Sequence, residues 1–355
     1  MLAQLAITGL LVALFPLTIV WASKDSNKYR KLIAVTLFLT FDLIVFGAFT
    51  RLTDSGLGCP DWPGCYGQAN PFQAHSEIRA AESLMPTGPV TLVKAWIEMI
   101  HRYIAMSVGV LVSSMMVIAW WRRASMRFSP RLPTALFVLV LVQGAFGKWT
   151  VTMKLQPIIV TIHLLLALCI LSLLVWAWMR ETPFESFALP RWLRQISSIA
   201  MIVLLLQVAL GGWVSTNYAA LACHDYPTCN GQLIPELDVQ HAYALWRELG
   251  KTLDGDFIPH SALVTIHWVH RSFAWVVFIV LGITVALARR SPELKQLANG
   301  VGLILFCQFL SGVATIYFSW PLTIAVLHNA GAAALVLLLS MLNYRVRSSA
   351  KSIFQ

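Results

Sequence analysis

Apolar runs of about 20 residues recur nine times along the chain, at about 2–22, 31–50, 92–120, 133–152, 157–179, 195–216, 262–288, 297–318 and 321–343. Each is long enough to cross a hydrocarbon core about 30 Å thick. In lipid a helix satisfies its own backbone polar groups, and no strand periodicity competes here. The fold class expected is therefore an all-α polytopic membrane protein. Composition agrees: 12% of the 355 residues are charged, where a soluble domain carries about 25%. The first run has no basic segment before it and no clear small-x-small cleavage site after it, so it reads as a retained helix rather than a signal peptide.

The net charge of +10 does not call for a nucleic-acid partner, because the basic residues are clustered by loop. Lys24, Lys28, Arg30, Lys31, Arg122, Arg123, Arg127, Arg131, Arg180, Arg191, Arg194, Arg289, Arg290, Lys295, Arg345, Arg347 and Lys351 are 17 of the 26 Lys and Arg. If the runs alternate in direction, all of these fall on one side. The positive-inside rule makes that side, with the C-terminus, cytoplasmic. The expected topology is multi-pass, with the opposite loops outside the cytoplasm.

Two of those outer loops share a skeleton. GLGCPDWPGC (Gly56 to Cys65) and ACHDYPTC (Ala222 to Cys229) each hold two cysteines six positions apart. Taken alone, such a loop is a metal knuckle, a redox pair or a structural staple. An extracytoplasmic position favours the disulfide, because disulfides form and persist there. Cys169 and Cys307 fall inside spans and read as small apolar fillers. Neither loop contains Cys-x-x-Cys-His, which argues against covalent haem attachment.

At an offset of 164, Gly47, Cys59, Asp61, Pro63, Cys65, Gly67 and Gln68 coincide with Gly211, Cys223, Asp225, Pro227, Cys229, Gly231 and Gln232. Further on, Glu-Met-Ile-His-Arg (98–102) corresponds to His-Trp-Val-His-Arg (267–271), and Thr-Ile-His (161–163) to Val-Leu-His (326–328). A Gln-x3-Gly step recurs at Gln143/Gly147, Gln207/Gly211 and Gln308/Gly312, although small residues at helix contacts are ordinary in membranes. The expectation is two tandem four-helix bundles from an internal duplication, related by a pseudo-twofold axis along the membrane normal. An extra N-terminal helix (1–23) precedes an N-terminal repeat (30–180) and a C-terminal repeat (190–346).

Ionisable groups at membrane depth are costly and usually functional. His101, His163, His270 and His328 each lie about 6–10 residues inside the outer end of a span, roughly 10–15 Å deep. Equal depth predicts that they pair, one plate-like cofactor per bundle, with two imidazoles on opposite faces of a haem iron. Zinc fits less well, because neither half offers further convergent ligands. For any one histidine the plain alternative is an interhelical hydrogen bond. His267 competes with His270 as a ligand, and the shared His-Arg dipeptide favours His270. Glu98 shares a helix face with His101 and has no carboxylate counterpart, which marks the first half for chemistry; its alternative is a salt bridge with Arg102. Arg51, Arg102 and Arg271 are candidate haem-propionate partners, or else interfacial anchors. His75, His224, His241 and His260 are placed in outer loops and read as solvated, His260 standing close to a span.

Together, FGAFTRLTDSGLGCPDWPGC, the two His-Arg segments, the two later histidine segments and the second Cys loop resemble the haem A synthase family, over roughly residues 30–345. The resemblance implies an eight-helix duplicated protein, so the first span here is additional. It implies oxidation of the C8 methyl group of haem O to the formyl group of haem A through successive hydroxylations. In that reading His101 and His163 flank the substrate iron with Glu98 as the catalytic residue, and His270 and His328 hold haem b. It further implies paired loop cysteines, Cys59 with Cys65 and Cys223 with Cys229. Haem O synthase would be the supplier, and cytochrome oxidase assembly factors the consumers. No motif identifies the electron acceptor or donor, and a homo-oligomer is left open. Two other classes share the four histidines: a di-haem b-type electron-carrier subunit and a haem transporter or chaperone.

Overall fold

The structure is a computed structural model that describes residues 1–124, 129–183 and 189–349. Arg127 and Lys351, two of the basic residues above, lie outside the described residues. Among those described, nine helices are long and apolar enough to cross a membrane. They are α1 (Leu2–Ala22), α2 (Lys28–Leu52), α4 (Leu92–Trp121), α5 (Arg131–Thr152), α6 (Pro157–Glu181), α7 (Arg191–Thr216), α9 (His260–Ala288), α10 (Pro292–Tyr317) and α11 (Leu322–Ser349). Two short helices, α3 (His75–Leu84) and α8 (Val239–Ala242), lie between spans. The chain is an all-α polytopic membrane protein.

Local chemistry sets the helix ends. The Asn27 side chain accepts from the Arg30 N–H at the start of α2, and the Thr91 hydroxyl accepts from the Lys94 N–H at the start of α4, each satisfying an orphan donor. α2, α5, α7 and α10 are followed by Asp54, Leu155, Tyr218 and Trp320, all at φ between 50° and 64°. A residue in this left-handed region turns the chain and lets later N–H groups reach back to the helix's last carbonyls. Ser55 N–H, for example, bonds to the Thr50 carbonyl, and Trp320 N–H to the Thr315 carbonyl.

The chain forms two compact units: Met1–Leu155 with Leu166–Thr182, and Gln156–Leu165 with Pro183–Gln355. α6 is therefore divided, its first turns, which carry His163, grouping with the second unit. In the first unit α4 is central, packing against α1, α2 and α5. Its core holds Leu32, Ile33, Leu111, Val112, Met115, Leu136 and Leu174. In the second unit α7 packs on α9 and α11, and α10 packs on α9 and α11. Cys169 and Cys307, expected as apolar filler, lie on the exposed faces of their spans.

Candidate haem site

The two Cys loops fold alike. Cys59–Cys65 and Cys223–Cys229 are disulfides, and their four residues are all but wholly buried. An antiparallel bridge joins Cys65 to Gln68 in one loop and Cys229 to Gln232 in the other. Asp61 accepts the N–H groups of Tyr66 at 2.6 Å and Gly67 at 2.7 Å. Asp225 accepts those of Asn230 and Gly231 in the same manner. Asp225 also accepts the Thr228 hydroxyl, and this bond, followed by the two backbone donors, holds its carboxyl below the usual range.

Each loop is gripped from below by the helix that carries the His-Arg dipeptide. On α4, the Glu98 carboxylate is 4% exposed, accepts the Cys59 N–H at 2.8 Å and pairs with the Arg102 guanidinium. Arg102 donates in turn to the carbonyls of Asp61 at 3.0 Å, Pro63 at 3.2 Å and Gly64. The loop lies so close to α4 that a Cβ at Gly58 would meet the Lys94 backbone at 2.5 Å. On α9, His267 takes the place of Glu98: it is 4% exposed and its Nδ1 accepts the Cys223 N–H at 3.2 Å. Arg271 donates to the carbonyls of Thr228 at 2.9 Å and Pro227 at 3.3 Å. Its Nε and Nη1 are buried and make no hydrogen bond. Arg51, at the end of α2, pairs with Asp54 at 3.2 Å.

The four membrane histidines are half-buried, unlike His267. Three stand against a glycine of a neighbouring helix. A Cβ at Gly47 would lie 3.0 Å from His101 Nε2, one at Gly211 would lie 2.9 Å from the His270 ring, and one at Gly312 would lie 3.2 Å from the His328 ring. In the second unit the Gln-x3-Gly step does more than permit close packing. Gln207 Nε2 donates to the His270 carbonyl at 3.1 Å, and Gln308 Nε2 to the His328 carbonyl at 2.9 Å. The glycine clears the ring while the glutamine, one turn away, fixes the backbone behind it. Ser311 Oγ lies 2.9 Å from His328 Nδ1, and Gln308 Nε2 lies 3.3 Å from its Nε2, so both ring nitrogens have a polar neighbour.

His270 and His328 are near enough to interact electrostatically. Two half-buried imidazoles on separate helices and buried guanidinium donors lacking an acceptor match a haem's iron and propionates. His101 lies in the first unit and His163 in the second. Among the described residues no group of three or more His, Cys, Asp or Glu converges as a metal site. Of the histidines expected in outer loops, His75 begins α3 and accepts from Arg79, His241 lies in α8 and pairs with Asp238 at 2.8 Å, and His260 begins α9, so the first two are partnered rather than merely solvated. Ser311 and the loop-gripping role of the arginines had no spacing signal. The departure from Gln-x2-Phe-Gly (143–147) and Gln-x2-Leu-Gly (207–211) to Gln-x2-Ser-Gly (308–312) is the one trace of Ser311 in the sequence.

The family model described as "Cytochrome oxidase assembly protein" (COX15-CtaA) matches residues 30–340. The chain belongs to the COX15-CtaA family. Among its relatives is the Heme A synthase of Shewanella oneidensis, 40% identical over 321 residues, covering 88% of this chain and 95% of the relative. The Heme A synthase of Caulobacter vibrioides is 29% identical, covering 89% of this chain and 96% of its own. That of Methylobacterium radiotolerans is 28% identical, covering 88% of each. The COX15-CtaA match begins at residue 30, so α1 precedes it, while both Cys loops and all four membrane histidines fall within it.

Proposed function

We propose that this chain is a haem A synthase: a membrane oxidoreductase that converts the C8 methyl group of haem O into the formyl group of haem A for cytochrome oxidase. Membership of the COX15-CtaA family supports the reaction class. The observation that carries the assignment of halves is the exchange of Glu98 for His267 at one clamp position.

In this reading the C-terminal repeat (190–346) would hold haem b through His270 and His328, and Arg271, whose Nε and Nη1 have no acceptor, would serve its carboxylates. Bound there, the haem supplies a one-electron relay. The chain's own part is to fix both rings, through Gln207, Gln308 and Ser311, and to exclude water beneath the second Cys loop. The N-terminal repeat (30–180) would bind haem O as substrate, with His101 and His163 the residues that would hold its iron. Two successive hydroxylations give a geminal diol, which loses water to leave the aldehyde; each removes two electrons from the methyl carbon, and an external oxidant must take up all four. Glu98, three residues before His101, is the carboxylate that would accept a proton at this site, oriented as an ion pair with Arg102 and by the Cys59 N–H. The basic loops and the C-terminus are cytoplasmic and both Cys loops periplasmic.

Purified protein supplied with haem O, then extracted and chromatographed, tests this. Haem b together with haem O, its hydroxylated form and haem A is the expected result. Haem b alone at both sites would make the chain an electron carrier.

A further inference from the structure

Helices α1, α2 and α4 line a half-open cavity of about 280 Å³ in the first unit. Its walls are apolar: Val12, Phe15 and Pro16 from α1, Leu39 and Phe46 from α2, Ile104 from α4. Two polar side chains also line it, Asp42 and Ser107. Ser107 is 1% exposed, and its buried Oγ makes no hydrogen bond. An unpaired hydroxyl in an apolar cavity marks a place where a ligand's polar group belongs.

The cavity adjoins His101. Phe46, one of its walls, stacks on the His101 ring, with 6.2 Å between centroids and 16° between planes. The next residue, Gly47, sets the level of that imidazole on α2. α2 runs toward the first Cys loop, and Asp42 stands five residues before Gly47, about 7.5 Å back along the axis. α4 runs away from the loop, and Ser107 stands six residues past His101, about 9 Å along. Both polar groups therefore sit at one level, on the side of His101 away from the Cys loop and its arginines.

Haem O differs from haem b in one substituent that matters here, a hydroxyethylfarnesyl chain in place of a vinyl group. The chain leaves the macrocycle on the side remote from the propionates and carries one hydroxyl next to the ring. On a haem held by His101, that hydroxyl meets the cavity adjoining this residue, where Asp42 and Ser107 are the polar groups. We infer that the α1–α2–α4 cavity is the subsite for the hydroxyfarnesyl chain of the substrate, with Asp42 and Ser107 receiving its hydroxyl and the α1 wall covering its first isoprene units. This rests on the reading that His101 binds the substrate haem. It also gives α1, which precedes the family match, a role in selecting haem O over haem b.

The test compares binding of haem O and haem b to purified full chain already loaded with haem b in the second unit. Val12→Trp fills the cavity from the lipid-facing helix; Ser107→Ala removes the unpaired hydroxyl with little change in volume. The proposal expects Val12→Trp to weaken haem O about tenfold or more and raise its KM with kcat held, while haem b binding stays as in the wild type. Ser107→Ala should weaken haem O alone, by a smaller factor. Equal weakening of both haems, or unchanged discrimination because a lipid or quinone fills the cavity, would overturn the subsite. His101→Ala reports separately on the underlying reading: if it leaves haem O affinity and conversion intact, the substrate haem lies elsewhere.

Discussion

The clamp beneath the first Cys loop and the clamp beneath the second are built to one plan with one substitution. In both, an arginine grips the loop's carbonyls, and a residue one turn earlier accepts the N–H of the first cysteine. Glu98 neutralises Arg102, so the first clamp is a closed ion pair. His267 has no charge to offer Arg271, whose Nε and Nη1 stay without acceptors. The scaffold needs only a hydrogen-bond acceptor at that position, and either side chain provides one. Choosing a carboxylate gives the first unit an ionisable oxygen three residues from His101. Choosing an imidazole leaves the second unit with two guanidinium nitrogens that lack an acceptor, on an arginine that lies over the Tyr226 ring at 5.1 Å.

Exchanging the two acceptors breaks the comparison most severely. Glu98→Ala removes the counter-charge of Arg102 and leaves the buried Cys59 N–H unpaired, a cost of about 3–5 kcal/mol, and should abolish haem A formation. Glu98→His is the sharper variant, because it rebuilds the second clamp in the first unit. It should keep the Cys59–Cys65 disulfide and the haem b content while lowering haem A formation by roughly 10²–10⁴-fold, the range for losing an acid–base group. Extraction and chromatography of the haems measures both. Near-normal haem A from Glu98→His would reduce Glu98 to a loop anchor.

The next largest effects belong to the glycines that admit the imidazoles. A Cβ at Gly211 or Gly312 would press on the His270 or His328 ring at 2.9 or 3.2 Å, and one at Gly47 on His101 at 3.0 Å. Overpacking of this kind costs about 1–3 kcal/mol. Gly211→Ala and Gly312→Ala should therefore deplete haem b, seen in the visible spectrum of the purified protein. Gly47→Ala should spare haem b and weaken haem O binding. Loss of haem b from Gly47→Ala would cross the two halves and contradict the division of labour.

The spans were legible because lipid permits few alternatives: the run at 31–50 became Lys28–Leu52, and that at 262–288 became His260–Ala288. α3 and α8 were not, since short helices between spans carry no run of apolar residues. The histidines could be read from their depth, and the loop pair from its repeated Cys, Asp, Pro and Gly. What spacing could not reveal was which partner each polar group would choose. Glu98 and His267 bond to a backbone N–H roughly 40 residues away, and backbone donors leave no mark in a sequence. The Arg102 pairing was visible as an i, i+4 neighbour, but its grip on three loop carbonyls was not. Asp42 and Ser107 sit on different helices and share a level only once α2 and α4 are packed antiparallel around His101.

A smaller contrast lies in the disulfides. Either closes a short loop, worth about 2 kcal/mol in the chain-entropy account. Cys59 and Cys65, however, pack with Leu5 of α1 and with Ala95 and Met99 of α4, on the helix face that carries Glu98. Replacing Cys59 and Cys65 by Ser should therefore lower activity several-fold more than the same change at Cys223 and Cys229. Equal losses in a haem A assay would make both loops plain staples.

The finest contrast is within the second unit. His328 Nδ1 faces the Ser311 hydroxyl at 2.9 Å, while His270 Nδ1 is buried with no partner. A hydrogen bond at the far nitrogen makes an axial imidazole more electron-donating and stabilises the oxidised iron. Ser311→Ala removes that bond without touching the Gln308 contact to the His328 carbonyl, so haem b should still bind in full amount. Its midpoint potential should rise, and potentiometric titration followed in the visible spectrum would register the shift. Ser311→Thr keeps the hydroxyl and should restore the wild-type value. If serine-to-alanine leaves the potential unchanged, the hydroxyl holds the ring in place without tuning it, and the two proposed ligands of the second unit are electronically alike.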